Sequence, residues 1–296
     1  MELRHIRYFL AVAEERNFTR AAARLGIGQP PLSQQIKDLE GDIGVRLFRR
    51  VPHGAELTDA GQAFLTGVQD LPAQAAAAAR AAQRAARGET GSIRVGFTGS
   101  AAFNPRVPAA IRGFRRSFPD VALSLREANS IALVAALRDG GLDAAVLRPD
   151  AVALDGLTVH PIEQEAMVAA VPAALFADPE IRTIALAALA REPFILTPRA
   201  LGPSLFDIAV QACRDAGFEP VLGQSAPQIA SVLALVAAEL GVSIVPASMR
   251  QTVVTGIRYL DLTDVHPVAT LAIAHRRAEL SAPVGHFVAH ARFGHG

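Results

Sequence analysis

The sequence predicts a mixed α/β chain: an N-terminal winged helix-turn-helix, a long linker helix and a two-lobed α/β unit. Three observations carry this. Residues 1–58 pattern as three short helices and a β-wing. Residues 58–87 are alanine-rich and helical in composition. Beyond residue 91, short apolar strands alternate with helical segments, the mark of an α/β sheet.

In the first module, Leu3, Ile6, Phe9, Leu10 and Ala13 recur at three and four, so the first helix has one apolar face. Phe18, Ala21, Ala22 and Leu25 do the same for a shorter second helix. Gly26 suits the positive φ that ends it, and Gly28 leaves the turn unconstrained. Pro30 and Pro31 fit a helix's first turn, where their missing N–H groups have no intrahelical partner. Leu32, Ile36, Leu39 and Ile43 carry the apolar face of the third helix. Its opposite face starts with Gln29, Ser33 and Gln34, which both donate and accept hydrogen bonds, as reading base edges requires. Helix, tight turn and second helix point that helix at the major groove of DNA. Residues 45–50 read as a strand, 51–54 as a turn and 55–57 as the return strand. Arg49, Arg50 and His53 lie at the tip, suited to phosphate or minor-groove contact.

Length and composition bound the rest. A chain of 296 residues implies two or three units. The formal net charge is +1, so this is no generic polycation, and affinity for DNA must come from local basic residues and dimerisation. Lys37 is the only lysine among 29 basic residues, which reads as genomic base composition. Cys213 is the only cysteine, so an intrachain disulfide and a multi-cysteine zinc site are excluded; it reads as a small buried apolar residue. Glu2, Arg4 and Arg7 argue against a signal peptide, and no apolar run is long enough to span a membrane. The expected compartment is the cytoplasm.

In the linker, Phe64, Val68, Leu71, Ala75, Ala78, Ala82 and Ala85 alternate by four and three. Such a seam implies pairing with another helix, here a second copy. Pro72 removes a backbone donor and should kink the helix. Residues 88–91, Gly-Glu-Thr-Gly, end it. The expected domains are 1–58, 59–90 and 91–296, the last split into one lobe of 91–161 plus 267–296 and another of 162–266.

In the C-terminal part, residues 93–97, 121–125 and 142–147 are strand candidates, and the pattern restarts after Pro161 with 167–171, 194–196, 221–223 and 242–245. Helices are expected up to Phe118, over 131–138, 204–216 and 226–239. Val268 to Ala274 is read as returning to the first lobe. Strand–helix alternation predicts a largely parallel sheet. Ligands in such sheets bind beyond the strand carboxyl ends, at helix N-termini. Three loops qualify: Thr98-Gly99-Ser100, Asn129-Ser130 and Arg199 through Leu205. Their hydroxyls and free N–H groups suit a carboxylate, although each Ser or Thr could equally serve as a helix cap.

Residues 1–61 resemble the DNA-binding domain of LysR-type transcriptional regulators. The matching runs are Leu3 to Phe9, Phe18-Thr19-Arg20-Ala21-Ala22, Gln29-Pro30-Pro31-Leu32-Ser33, Leu39-Glu40, Gly44 to Phe48 and Leu57 to Gly61. Many members carry a basic residue where this chain has Gln34. The DNA-contacting set so implied is Thr19, Gln29, Pro30, Pro31, Ser33, Gln34, Arg50 and His53. The remainder is similar to the family's effector-binding domain, a fold shared with periplasmic binding proteins. Glu127 to Ser130, Arg148, Leu196-Thr197-Pro198, Pro203 and Gly241 to Ser248 resemble the branch that senses muconates and related aromatic-degradation products. That likeness implies an effector carboxylate on Ser100 and Ser130, with Thr98, Pro203 and Leu205 completing the pocket and Arg148 and His160 at or beside it. It also implies a tetramer built as a dimer of dimers.

Other signals fall away. Residues 96–100 lack the full Gly-x-Gly-x-x-Gly spacing of a dinucleotide loop. His286 and His290, with His295 beyond, have no clear third ligand for a metal. No nucleophile elbow or paired carboxylates support an enzyme. The expectation is a regulator switched by a small anionic metabolite, bound to double-stranded promoter DNA, with no cofactor and no metal.

Overall fold

The computed structural model describes residues 1–52, 54–150, 152–176, 178, 180–278 and 280–294. It divides into two compact units, Met1–Arg84 and Ala85–Gly296.

The first unit opens with α1 (Leu3–Glu15), α2 (Phe18–Leu25) and α3 (Gln29–Ile43), followed by the wing strands β1 (Phe48–Val51) and β2 (Gly54–Leu57). Asn17 caps α2 by accepting from the N–H groups of Thr19 and Arg20, and Gly26 ends it at φ +69°. α3 begins with its prolines in the first turn. The core joins Phe9, Leu32, Ile36, Leu39, Leu47 and Phe48. Phe9 meets Phe48 at 5.1 Å and Phe64 at 4.9 Å between ring centroids. Glu40 of α3 fixes the wing by accepting from the N–H groups of Leu47 and Phe48, at 2.8 and 3.1 Å. Two glycines are dictated by close approach. A Cβ at Gly54 would lie 2.1 Å from the Arg16 carbonyl oxygen, and one at Gly61 2.1 Å from that of Leu47.

The linker differs from its sequence reading. It forms two helices, α4 (Asp59–Val68) and α5 (Leu71–Ala86), separated at Gln69 and Asp70. Pro72 lies in the first turn of α5, where it starts a helix rather than kinking one. Phe64, Val68 and Leu71 turn inward onto the helix-turn-helix core, with Val68 buried. They therefore contribute to this unit's own core, with Phe64 and Leu71 left half-buried. α5 buries no residue, and Ala78, Ala82 and Ala85 are exposed.

The second unit contains β3 (Gly91–Phe97), the short α6 (Gly99–Ala102), α7 (Arg106–Ser117), β4 (Val121–Glu127), α8 (Ser130–Arg138), β5 (Ala144–Leu147), β6 (Leu157–Pro172) and β7 (Thr183–Ile184). β8 (Pro193–Leu196), α9 (Pro203–Asp215), β9 (Val221–Ser225), α10 (Ile229–Ala237), β10 (Ser243–Pro246), β11 (Ile257–Leu262), β12 (Val268–Arg276) and α11 (Ala282–Phe293) complete it. The main sheet runs β4-β3-β5-β12-β6-β11-β7, with β10 also on β6. It is mixed rather than largely parallel: β3 pairs with β4 and β5 in parallel, but β12, β10 and β11 all run antiparallel to β6. The reason is the double crossing. β6 leaves the first lobe, β12 returns, and the two zip together.

β6 is a single 16-residue strand through Pro161, where the sequence suggested a break. The register with β12 shifts between Leu271 and Ala272, opposite Pro161 and Glu163, so the missing proline N–H falls at an irregularity. β11 is not among the expected strands, although Ile257-Arg258-Tyr259-Leu260-Asp261-Leu262 after Thr255-Gly256 carries the alternation of one. In the first lobe Phe114 of α7 packs on Phe287 of α11 at 5.4 Å. In the second, Phe194, Cys213, Ile244 and Leu260 share one core. Among the described residues no helix is long and apolar enough to cross a membrane.

Candidate functional site

The first unit presents one polar helix start. Thr19, Pro30, Pro31 and Gln34 are exposed, and Gln29 and Ser33 are half-buried. The Gln29 amide donates to the Ser33 hydroxyl at 2.8 Å, and the Gln34 amide to Asp38 at 2.8 Å. Each amide keeps further donor and acceptor capacity beyond that one contact. On the wing, Arg49 is tied to Glu56 at 2.6 Å, which cancels much of its charge. Arg50 is exposed and lies 5.9 Å over the Phe18 ring. His53 lies outside the described residues.

In the second unit, a cavity of about 130 Å³ opens between the two lobes. The first lobe supplies Thr98, Gly99, Ser100, Asn129, Ser130 and Arg148; the second supplies Thr197, Leu201, Gly202, Ser204, Leu205, Pro227, Gln228 and Ile229. Each wall is the start of a helix following a strand, as the sheet's geometry requires. Of the residues picked out in the sequence, Thr98, Ser100, Ser130, Arg148 and Leu205 line it. Pro203 does not; it is buried in the first turn of α9. His160 stands elsewhere, its Nε2 3.1 Å from His275 Nε2.

None of the three hydroxyls is spent on capping. Asn129 caps α8 by accepting from the Ala132 N–H at 2.8 Å, leaving Ser130 one place inside. Thr98 precedes α6 without a capping bond, and its buried Oγ1 has no hydrogen-bond partner among the described residues. Arg148 Nε donates to Ser100 Oγ at 3.5 Å, so that oxygen is occupied as acceptor and its proton can turn to a ligand.

Arg148 is itself almost wholly buried, and its charge is matched by Glu165 at 2.7 Å. Glu165 also accepts from the Ser248 N–H at 2.7 Å and from Asn104 at 3.4 Å. Burial by itself pushes the Glu165 carboxyl up, but Arg148 and Ser248 outweigh it and hold the group below the usual carboxylate range. The Ser204 hydroxyl donates to the carbonyl oxygens of Arg148 (3.0 Å) and Asp150, tying α9 of the second lobe to the segment after β5 of the first.

Sequence reasoning missed Gln228, Ile229, Thr197 and Glu165. Pro227-Gln228 is a fourth strand–helix junction, after β9, so the same rule could have found it. Glu165 carries no local signal, because only pairing of β6 with β12 and the fold of 247–251 bring Arg148 and Ser248 to it. Cys213 is buried, and burial followed by Glu219 pushes its thiol up to about 12, so it is a poor nucleophile or redox sensor.

A winged helix-turn-helix followed by a two-lobed α/β unit in one chain is the arrangement of a DNA-binding regulator with an effector-binding domain. Residues 3–62 match the bacterial regulatory helix-turn-helix protein model of the lysR family, and residues 86–293 match the LysR substrate binding domain. The chain belongs to the LysR family of transcriptional regulators; it binds DNA, carries an effector-binding domain and is not an enzyme. It is 40% identical over 92% of its length to the uncharacterized regulator YnfL of Escherichia coli K12, covering 91% of that protein. It is 38% identical over 97% to the regulator BudR of Raoultella terrigena, covering 99%. BenM of Acinetobacter baylyi is 32% identical over 95% of the chain, covering 92% of BenM, so the aromatic-degradation likeness is one relation among several. The crystal structure of CbnR, a LysR family regulator, superposes with a TM-score of 0.84 at 30% identity, covering 99% of this chain and all of that one. Full-length CbnR bound to its target DNA gives a TM-score of 0.82 at 30% identity, covering 99% of each chain.

Proposed function

We propose that a small carboxylate binds between the lobes on Thr98, Ser100 and Ser130, and that its binding switches transcription from a promoter held by the N-terminal unit. The observation that carries this is the Thr98 hydroxyl: Thr98 lines the cavity, and its buried Oγ1 has no hydrogen-bond partner among the described residues. A buried polar group without a partner is costly, and a ligand oxygen supplies one. The Ser100 and Ser130 hydroxyls and the first-turn N–H groups of α8 add oriented dipoles that favour an anion. Arg148, neutralised by Glu165, acts through Ser100 rather than as a direct counter-ion.

On DNA, the start of α3 enters the major groove, with Gln29, Ser33 and Gln34 toward base edges, Thr19 and the prolines at the groove wall, and Arg50 and His53 on the backbone. The exposed alanine stripe of α5 pairs two chains, and contacts between effector domains join two dimers. Effector changes transcription through unequal affinity for two arrangements of the assembly. Calorimetry beside footprinting tests the switch. Ser100→Ala together with Ser130→Ala should abolish the effector's influence on the footprint and leave DNA affinity nearly intact. Wild-type effector binding by the double mutant would place the site elsewhere.

A further inference from the structure

The cavity constrains the effector further. We propose that the effector is a short, singly charged carboxylate with an uncharged tail, about two to five carbons long, and that the site rejects dicarboxylates; this rests on the reading of the cavity as a carboxylate site. Size is the first ground. The cavity holds about 130 Å³, and a void of about 150 Å³ accommodates a benzene ring, so about six non-hydrogen atoms fill it.

Charge is the second ground. Among the described residues Arg148 is the only charged side chain on the wall, and Glu165 already compensates it at 2.7 Å. One carboxylate is held by the Thr98, Ser100 and Ser130 hydroxyls, all from the first lobe. A second carboxylate would have to sit toward the Leu201, Leu205 and Ile229 wall of the other lobe, against apolar side chains and without a cation. Glu127 sharpens this. A Cβ on Gly99 would lie 2.9 Å from Glu127 Oε1, so that exposed carboxylate stands beside the α6 wall and adds a solvent-screened repulsion of further negative charge. A short apolar tail, by contrast, gains from covering the leucines.

The test is calorimetry on the full-length protein at one ionic strength, with acetate, butyrate, benzoate, succinate, cis,cis-muconate and inorganic phosphate as probes. Acetate and butyrate should bind, and succinate and muconate should bind about 100-fold more weakly than butyrate. Benzoate should fall about tenfold behind butyrate because it overfills the cavity. Thr98→Val should weaken butyrate about tenfold, and Thr98→Ser, which keeps the hydroxyl, should restore it. Glu127→Gln should narrow the gap between succinate and butyrate. Succinate or muconate binding as tightly as butyrate, and losing affinity in Thr98→Val, would overturn the charge rule and leave the carboxylate site standing. No binding of any carboxylate up to about 10 mM would overturn the carboxylate reading itself. Butyrate binding untouched by Thr98→Val and Ser130→Ala would overturn both.

Discussion

Replacing Glu165 by leucine tests the electrostatics beneath the cavity. The side chains of Arg148 and Glu165 are 2% and 5% exposed and 2.7 Å apart. Removing the carboxylate leaves a buried guanidinium without its counter-ion, at a cost of about 3–5 kcal/mol. It also orphans the Ser248 N–H, worth about 1–3 kcal/mol, although groups in one network do not add in full. A total near 4 kcal/mol follows. For a unit of this size each kcal/mol moves the midpoint by about 2–4 °C, so the effector unit should melt about 8–16 °C lower. Differential scanning calorimetry of the full chain reads this on the effector-unit transition. The Arg148→Met, Glu165→Leu pair should recover most of the loss, because matched apolar side chains remove both charges. A single variant within about 0.5 kcal/mol of wild type would refute the argument. So would a double variant no better than the single one. The pH sign is fixed as well. Glu165 titrates below its usual 4.5 in the fold, so its contribution is full above that value and is lost as pH falls through the lower folded value.

On DNA, Gln29→Ala should cost about 1–3 kcal/mol at a specific site, whereas Arg50→Ala should weaken all sequences and flatten the salt dependence; gel shifts across a salt series separate the two. For assembly, Ala78→Glu or Ala82→Glu should break the dimer in light scattering while the melting of the N-terminal unit holds. Val68→Glu should instead unfold that unit, because Val68 is buried in its core. Burial first, then Arg292 and His275, hold His160 below its usual 6.5, and burial and His286 do the same to His290. Both folded values are depressed, so stability is full above about pH 6.5 and falls as pH drops through the folded values. Urea midpoints between about pH 5 and 7 should fall less steeply in His160→Gln, His290→Gln protein.

The sequence by itself determined the helix-turn-helix, the wing and the strand–helix loops of the cleft. These rest on local rules. Apolar residues at three and four define helix faces, prolines open α3, and Gly26 ends α2. Thr98, Ser100 and Ser130 were legible because each stands where a strand gives way to a helix. Only the tertiary structure decided the rest. Phe64 and Val68 satisfy a heptad as well as an amphipathic helix, and only the fold shows that both pack on the core around Phe9. The antiparallel sense of β6 follows from two crossings about a hundred residues apart in sequence, which no window of pattern contains. The charge of the cavity depends on the same pairing. Arg148 reads as a cation for an anionic ligand until β6 brings Glu165 to 2.7 Å from it. Periodicity reports which face of an element is apolar; which charges meet beneath a site depends on long-range packing.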